Sequence, residues 1–124
     1  MVAARGHGPC AFPRRRRLTR PQDYRRVFSG AQKAADRYFT VLARGNDQVG
    51  PRLGLAISRR VAPRAVDRNR LKRIAREVFR QRQAALGQRD YVVLARPAAR
   101  TASKARLHRS LGRLYDRLND GNRH

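Results

Sequence analysis

DRNRLKRIAREVFRQRQAAL, residues 67–86, is the longest regular segment of the chain, and its periodicity decides the fold. At about 100° per residue, Leu71, Ile74, Ala75, Val78, Phe79, Ala85 and Leu86 fall within an arc of roughly 140°. Such a stripe predicts an amphipathic helix with one buried face. Arg82 points into the same arc near the helix end, where its stem can snorkel outward. Asn69, Lys72, Arg73, Arg76 and Arg80 cover the opposite face, and Gly87 supplies the stop.

After this helix, Tyr91-Val92-Val93-Leu94-Ala95 is a continuous apolar run, as expected of a strand buried on both faces. Before it, Leu53, Leu55 and Ile57 alternate with Gly54, Ala56 and Ser58, which predicts a strand with one bulky face. Tyr38-Phe39-Thr40-Val41-Leu42-Ala43 predicts another. These two are expected to pair as an antiparallel hairpin across the loop at 45–51. A short extra strand fits residues 32–34. Further out, Thr19 and Gln22 have capping-box spacing and Pro21 suits a first helical turn. A short helix follows with Tyr24, Val27 and Phe28 on one face, stopped by Gly30. After Pro97, Thr101 or Ser103 can cap a last helix striped by Leu107, Leu111, Leu114 and Leu118. Residues 1–17 read as a basic mobile arm, 18–118 as a single domain and 119–124 as a frayed tail. The pattern predicts an α+β two-layer sandwich, with helices packed on a mixed sheet.

The chain has 124 residues, with 31 Lys plus Arg against 8 Asp plus Glu, a formal net charge of +23. Self-repulsion at that level predicts a polyanionic partner. Only Lys33, Lys72 and Lys104 are lysines. High genomic GC content accounts for that bias, while arginine's planar fork also suits phosphate contacts and stacking on bases. Cys10, the single cysteine, excludes an internal disulfide or a cysteine-based metal site and points to a reducing compartment, hence the cytoplasm. No stretch approaches the ~20 apolar residues of a membrane span, and none resembles a secretory signal. The arginine-rich, acid-poor amino end also fits an organellar transit peptide.

Self-contained catalysis is not expected. A metal-dependent nuclease needs clustered carboxylates, but Asp23, Asp36, Asp47, Asp67, Glu77, Asp90, Asp116 and Asp120 are scattered along the chain, with no D-x-D or D-x-x-E spacing. Caps and intrahelical pairs explain several; Glu77 follows Arg73 by four residues and precedes Arg80 by three. Of His7, His108 and His124, two lie in the terminal segments. The basic features separate better. The run Arg14 to Arg17 is a nonspecific phosphate anchor or simply a solvated arm. Arg68 and Arg70 are read as lying in the first helical turn, where cations oppose the helix dipole. A phosphate at the helix start relieves that conflict; the plainer reading is a solvated basic face. Tyr24 and Phe28 share a helix face, with Phe39 or Tyr38 on the neighbouring strand. Core packing accounts for such aromatics. With one edge open and Arg25, Arg37 and Arg52 beside it, the same cluster makes a stacking platform, worth roughly 1–3 kcal/mol per base.

The segment SRRVAPRAVDRNRLKRIAREVFR, residues 58–80, resembles the signature of the protein subunit of bacterial ribonuclease P. Its heart is Arg68-Asn69-Arg70, then Lys72-Arg73, then Arg76-Glu77-x-Phe79-Arg80. Flanking matches are Arg17-Leu18, Tyr24-x-x-x-Phe28, Arg52-x-Gly54-Leu55 and Asp90-Tyr91-Val92-Val93, so that residues 16–118 are covered. The resemblance implies a four-stranded mixed sheet with a left-handed β-α-β crossover, the ribosomal protein S5 domain 2-like fold. Physical expectation alone favours a right-handed crossover.

The resemblance also implies that an RNA subunit is the catalyst, releasing the 5′ leader of precursor tRNA with Mg²⁺ held mainly by that RNA. Arg68, Asn69, Arg70, Lys72, Arg73 and Arg76 would contact the catalytic RNA. Tyr24, Phe28, Arg37, Phe39, Ser58, Arg59 and Arg60 would form the leader cleft. No catalytic residue, protein-held metal, membrane or obligate protein partner is implied. Arg59-Arg60 stands where lysines are common in that family, Val61-Ala62-Pro63-Arg64 replaces a turn that often contains glycine, and Leu42 stands where some members have a cleft tyrosine. Two other classes fit the composition: a structural ribosomal RNA binder, and a DNA-binding regulator. The second is disfavoured because the outward side chains of the 67–86 helix are nearly all cationic, whereas base readout mixes in amides and small residues.

Overall fold

The computed structural model describes residues 17–46 and 50–121. In chain order these form α1 (Pro21–Ser29), β1 (Gln32–Ala35), β2 (Phe39–Gly45), β3 (Arg52–Ala56), α2 (Ala65–Arg82), β4 (Arg89–Ala95) and α3 (Lys104–Gly121), with 3₁₀ turns at Gln83–Ala85 and Pro97–Thr101. One mixed sheet carries the strands in the order β1-β2-β4-β3. β2 pairs antiparallel with both β1 and β4, and β3 pairs parallel with β4, so α2 is the crossover of a β-α-β unit.

The expected hairpin between β2 and β3 does not form. β4 inserts between them, matching Val93 with Val41 on one side and with Leu55 on the other. The reason is burial. Tyr91, Val92 and Val93 are fully buried, and an edge position would leave that apolar run exposed.

Strand alternation sorts the side chains into two layers. Phe39, Val41, Ala43, Leu53, Tyr91 and Val93 face α2 and α3, where Leu71, Ile74, Val78, Leu107, Leu111 and Leu114 complete the main core. Phe79, Tyr91 and Tyr115 meet edge to face at its centre, with ring centroids 5.9–6.0 Å apart. The other face is covered by α1, which buries Val27 with Leu18 and Val92. Gly54 permits that docking. A Cβ there would lie 2.8 Å from the Tyr24 ring. The Tyr24 hydroxyl accepts from the Leu55 N–H at 3.1 Å and donates to the Leu18 carbonyl at 3.3 Å. Arg26 donates to the Gly45 carbonyl at 2.7 Å, and Arg44 returns a bond to the Arg26 carbonyl at 2.6 Å.

The helix ends differ in detail from expectation. Arg20, not Thr19, precedes α1, with no side-chain cap; Pro21 does stand in the first turn, and Asp23 pairs with Arg20 at 3.3 Å. Ser103 caps α3, its hydroxyl accepting from the Arg106 N–H at 3.2 Å. α2 begins at Ala65, so Asp67 occupies its first turn while Arg68 and Arg70 fall in the second. The conflict with the helix dipole is therefore milder than the sequence implied. Arg82 does not snorkel freely. Its guanidinium lies against Gly112 of α3 and pairs with Asp116 at 3.1 Å. Residues 119–121, read as tail, continue α3. Of the expected arm, 1–17, residues 1–16 lie outside the described residues, as do 122–124, while Arg17 departs from that expectation by bridging to Leu53 at the sheet edge.

Candidate nucleic-acid interface

The outward face of α2 is a cation row. Asn69, Lys72, Arg73, Arg76, Glu77 and Arg80 line one shallow groove along it. Glu77 does not neutralise the row as an intrahelical partner. Its carboxylate turns to α3, 3.1 Å from His108 Nε2 and 3.7 Å from Lys104 Nζ. A second groove adjoins the first, lined by Arg17, Leu18, Thr19, Tyr24, Leu53, Leu55, Lys72 and Arg76. Lys72 and Arg76 belong to both. Arg17 is held there because its segment bridges in parallel to Leu53, extending the sheet beyond β3. Burial lowers the Arg76 pKa, and the like charge of Arg17 lowers it further. Crowded guanidinium groups of this kind are relieved by an anionic ligand.

Arg68 and Arg70 do structural work as well. Arg68 Nη1 donates to the carbonyls of Ala62 at 2.9 Å and Pro63 at 2.8 Å, fixing the turn that enters α2. Arg70 Nη2 donates to the Ala102 carbonyl at 2.9 Å, tying α2 to the start of α3. Asn69 and Arg73 are exposed.

Round the edge of β3 the cation row leads onto the α1 face of the sheet. Tyr24 lies half-buried on Gly54, and Phe28, one helical turn further on, is 50 % exposed. Beyond α1 the row Thr40, Leu94 and Ala56, aligned across β2, β4 and β3, remains half-buried. Ser58, Arg59 and Arg60 are exposed just past β3, with the Ser58 hydroxyl accepting from the Val61 N–H at 3.2 Å. Tyr24 and Phe28 thus lie on the α1 side of the sheet, and the 58–60 turn is exposed past the end of β3, with Ile57 and Ala62 on either side of it buried in the main core.

Two residues expected in that cleft are elsewhere. Phe39 is 0 % exposed and belongs to the main core, because it alternates in step with Val41 and Ala43. Arg37 sits over the Tyr38 ring at 5.6 Å, and Tyr38 belongs to the α2–α3 layer. Sequence reasoning missed Thr40, Leu94 and Ala56; the two-residue alternation of β2, β4 and β3, applied from Val41, Val93 and Leu55, would have found them.

A cation row that continues past a half-exposed aromatic defines a small α+β domain for a single-stranded polyanion: charge tracks the backbone and rings meet bases. Comparison with known proteins names the family. The family model described as Ribonuclease P matches residues 12–119, and the chain belongs to that family. It is 51 % identical over 107 residues to the ribonuclease P protein component of Thioalkalivibrio sulfidiphilus, covering 86 % of this chain and 89 % of that one. It is likewise 51 % identical over 110 residues to that of Methylococcus capsulatus, covering 89 % and 84 %. Among solved structures, the RNase P protein of Staphylococcus aureus superposes with a TM-score of 0.77 at 27 % identity, covering 82 % of this chain and 93 % of that one.

Proposed function

We propose that the chain acts as the protein component of bacterial ribonuclease P, the endoribonuclease that removes the 5′ leader of precursor tRNA. The RNA subunit is the catalyst. In this reading Lys72, Arg73 and Arg76, with Arg68, Asn69 and Arg70 at the head of the row, face the catalytic RNA. Tyr24, Phe28, Ser58, Arg59 and Arg60 take the single-stranded leader. The observation that carries the reading is the sharing of Lys72 and Arg76 between the α2 groove and the groove beside Tyr24. It allows one protein to hold RNA core and leader together.

Mg²⁺ supplies Lewis-acid activation of the attacking water when bound to the RNA. In this reading the protein's part is to bind, orient and screen phosphate charge. No described helix is long and apolar enough to cross a membrane, and the proposed place of work is the cytoplasm.

Separate surfaces give separable defects. Arg73→Ala with Arg80→Ala, which line the α2 groove but not the groove beside Tyr24, should weaken assembly with the catalytic RNA, whereas Phe28→Ala should spare assembly and weaken binding of leader-bearing precursor over mature tRNA. Arg68 and Arg70 are poor probes, because their loss also frees the turns they anchor. Equal defects of both variants in both assays would contradict the assignment.

A further inference from the structure

A second cationic surface lies on the opposite flank of the sheet. On α3, Arg106, Arg109, Arg113 and Arg117 are all exposed. Their spacing of three and four residues confines them to an arc of roughly 80° and a length of about 16 Å. α3 packs over β1 and β2, whereas α2 is the helix beside β3. β1 and β3 are opposite sheet edges, three strand spacings or about 14 Å apart. The arginine stripe and the Lys72–Arg76 groove therefore serve different flanks.

The β1–β2 turn adds to the stripe. Arg106 Nη1 donates to the Tyr38 hydroxyl at 3.4 Å, Arg37 lies over the same ring, and Arg96 donates to the Asp36 carbonyl at 2.9 Å. Three acids lie nearby: Asp36, Asp116 and, at the end of the stripe, Asp120. The Asp36 carboxylate faces Arg113 but accepts from the Ser110 hydroxyl and the N–H groups of Tyr38 and Phe39. Asp116 pairs with Arg82.

We propose that Arg109, Arg113 and Arg117, flanked by Arg37, Arg96 and Arg106, form a second phosphate-backbone contact for the catalytic RNA, separate from the α2 groove. The proposal rests on the ribonuclease P reading above. Charge complementarity commits it to RNA: the stripe offers planar phosphate-binding forks, and the whole chain carries +23 to be neutralised.

The test is binding of the full chain to a transcript of a bacterial ribonuclease P RNA across a salt series. Arg109→Gln/Arg113→Gln/Arg117→Gln should flatten the slope of log K against log salt by about 2 to 3, and weaken low-salt binding about tenfold or more. Arg109→Gln/Arg117→Gln, which spares the Arg113–Asp36 interaction, should flatten it by about 1.5 to 2. Far-UV spectra and melting midpoints report that both variants fold. Wild-type slope and affinity in both variants, while Lys72→Gln/Arg73→Gln reduces them, would overturn this contact alone. Absence of salt-dependent binding by the wild-type chain would instead overturn the ribonuclease P reading beneath it.

Discussion

Arg52 clamps Asp90 with two parallel hydrogen bonds of 2.8 Å, Nε to Oδ1 and Nη2 to Oδ2. The two residues face each other across the parallel β3–β4 pair, and the Asp90 side chain is fully buried. Asn46 donates to Oδ1 at 2.7 Å, Arg26 of α1 approaches Oδ2 at 3.5 Å, and Arg52 also reaches Asp23 at 3.8 Å. The hydrogen bonds to Asp90 raise the Arg52 pKa, outweighing burial, which opposes it. In a chain so rich in cations, this carboxylate pins α1 to one end of the sheet.

Removing the Asp90 charge leaves the half-buried Arg52 with only Asp23, at 3.8 Å, as a charged partner. Asp90→Asn should lower unfolding free energy by about 3–5 kcal/mol, read from urea denaturation. A loss below about 1 kcal/mol would show that the clamp is not structural.

Gly54→Ala forces a Cβ to within 2.8–3.0 Å of the Tyr24 ring and Leu18 Cδ1. The ring must move, and its bonds to Leu55 and Leu18 go with it. The expected loss is about 1–3 kcal/mol in the same denaturation measurement. A variant as stable as the wild type would mean that α1 sits further from the sheet.

Tyr115 is fully buried, and its hydroxyl has no hydrogen-bond partner among the described residues. Burial drives its pKa upward. Tyr115→Phe keeps the edge-to-face contacts with Phe79 and Tyr91 while removing the stranded hydroxyl. It should raise stability by about 1 kcal/mol. A destabilised variant would reveal a partner for that hydroxyl.

Burial pushes the Asp36 carboxyl up, but hydrogen bonds from Ser110, Phe39 and Tyr38 and the charge of Arg113 prevail, so its pKa lies below the ordinary 3.8. The unfolded chain therefore takes up this proton first. The stabilisation is complete above about pH 5 and is lost as pH falls through the ordinary and then the lower folded value. The stability gap between wild type and Asp36→Asn should be widest near neutrality and narrow from pH 5 to pH 3, followed by urea midpoints. A gap independent of pH would remove Asp36 from the acid response.

Element types were legible because each has a strong period: the stripe of Leu71, Ile74, Val78 and Phe79, the leucines of α3, and the unbroken Tyr91–Ala95 run. Strand order was not. Neighbours in sequence, β2 and β3, are parted by β4, and only burial on both faces marks β4 as central. The same holds at the site. The Arg68–Arg76 row stands out in the sequence, but whether Phe39 joins Tyr24 depends on which face of β2 it takes. The Asp90 clamp draws Arg26, Asn46 and Arg52 from three separate segments, and no local pattern announces it.

In the proposed function this chain assists an RNA catalyst. The direct measurement is 5′-leader cleavage of a precursor tRNA at limiting Mg²⁺, with protein alone, a bacterial ribonuclease P RNA alone, and both together. Cleavage that requires both, or that the protein strongly accelerates, is the expected result. No effect of the protein on the RNA's cleavage would contradict the claim, as would cleavage by the purified protein alone.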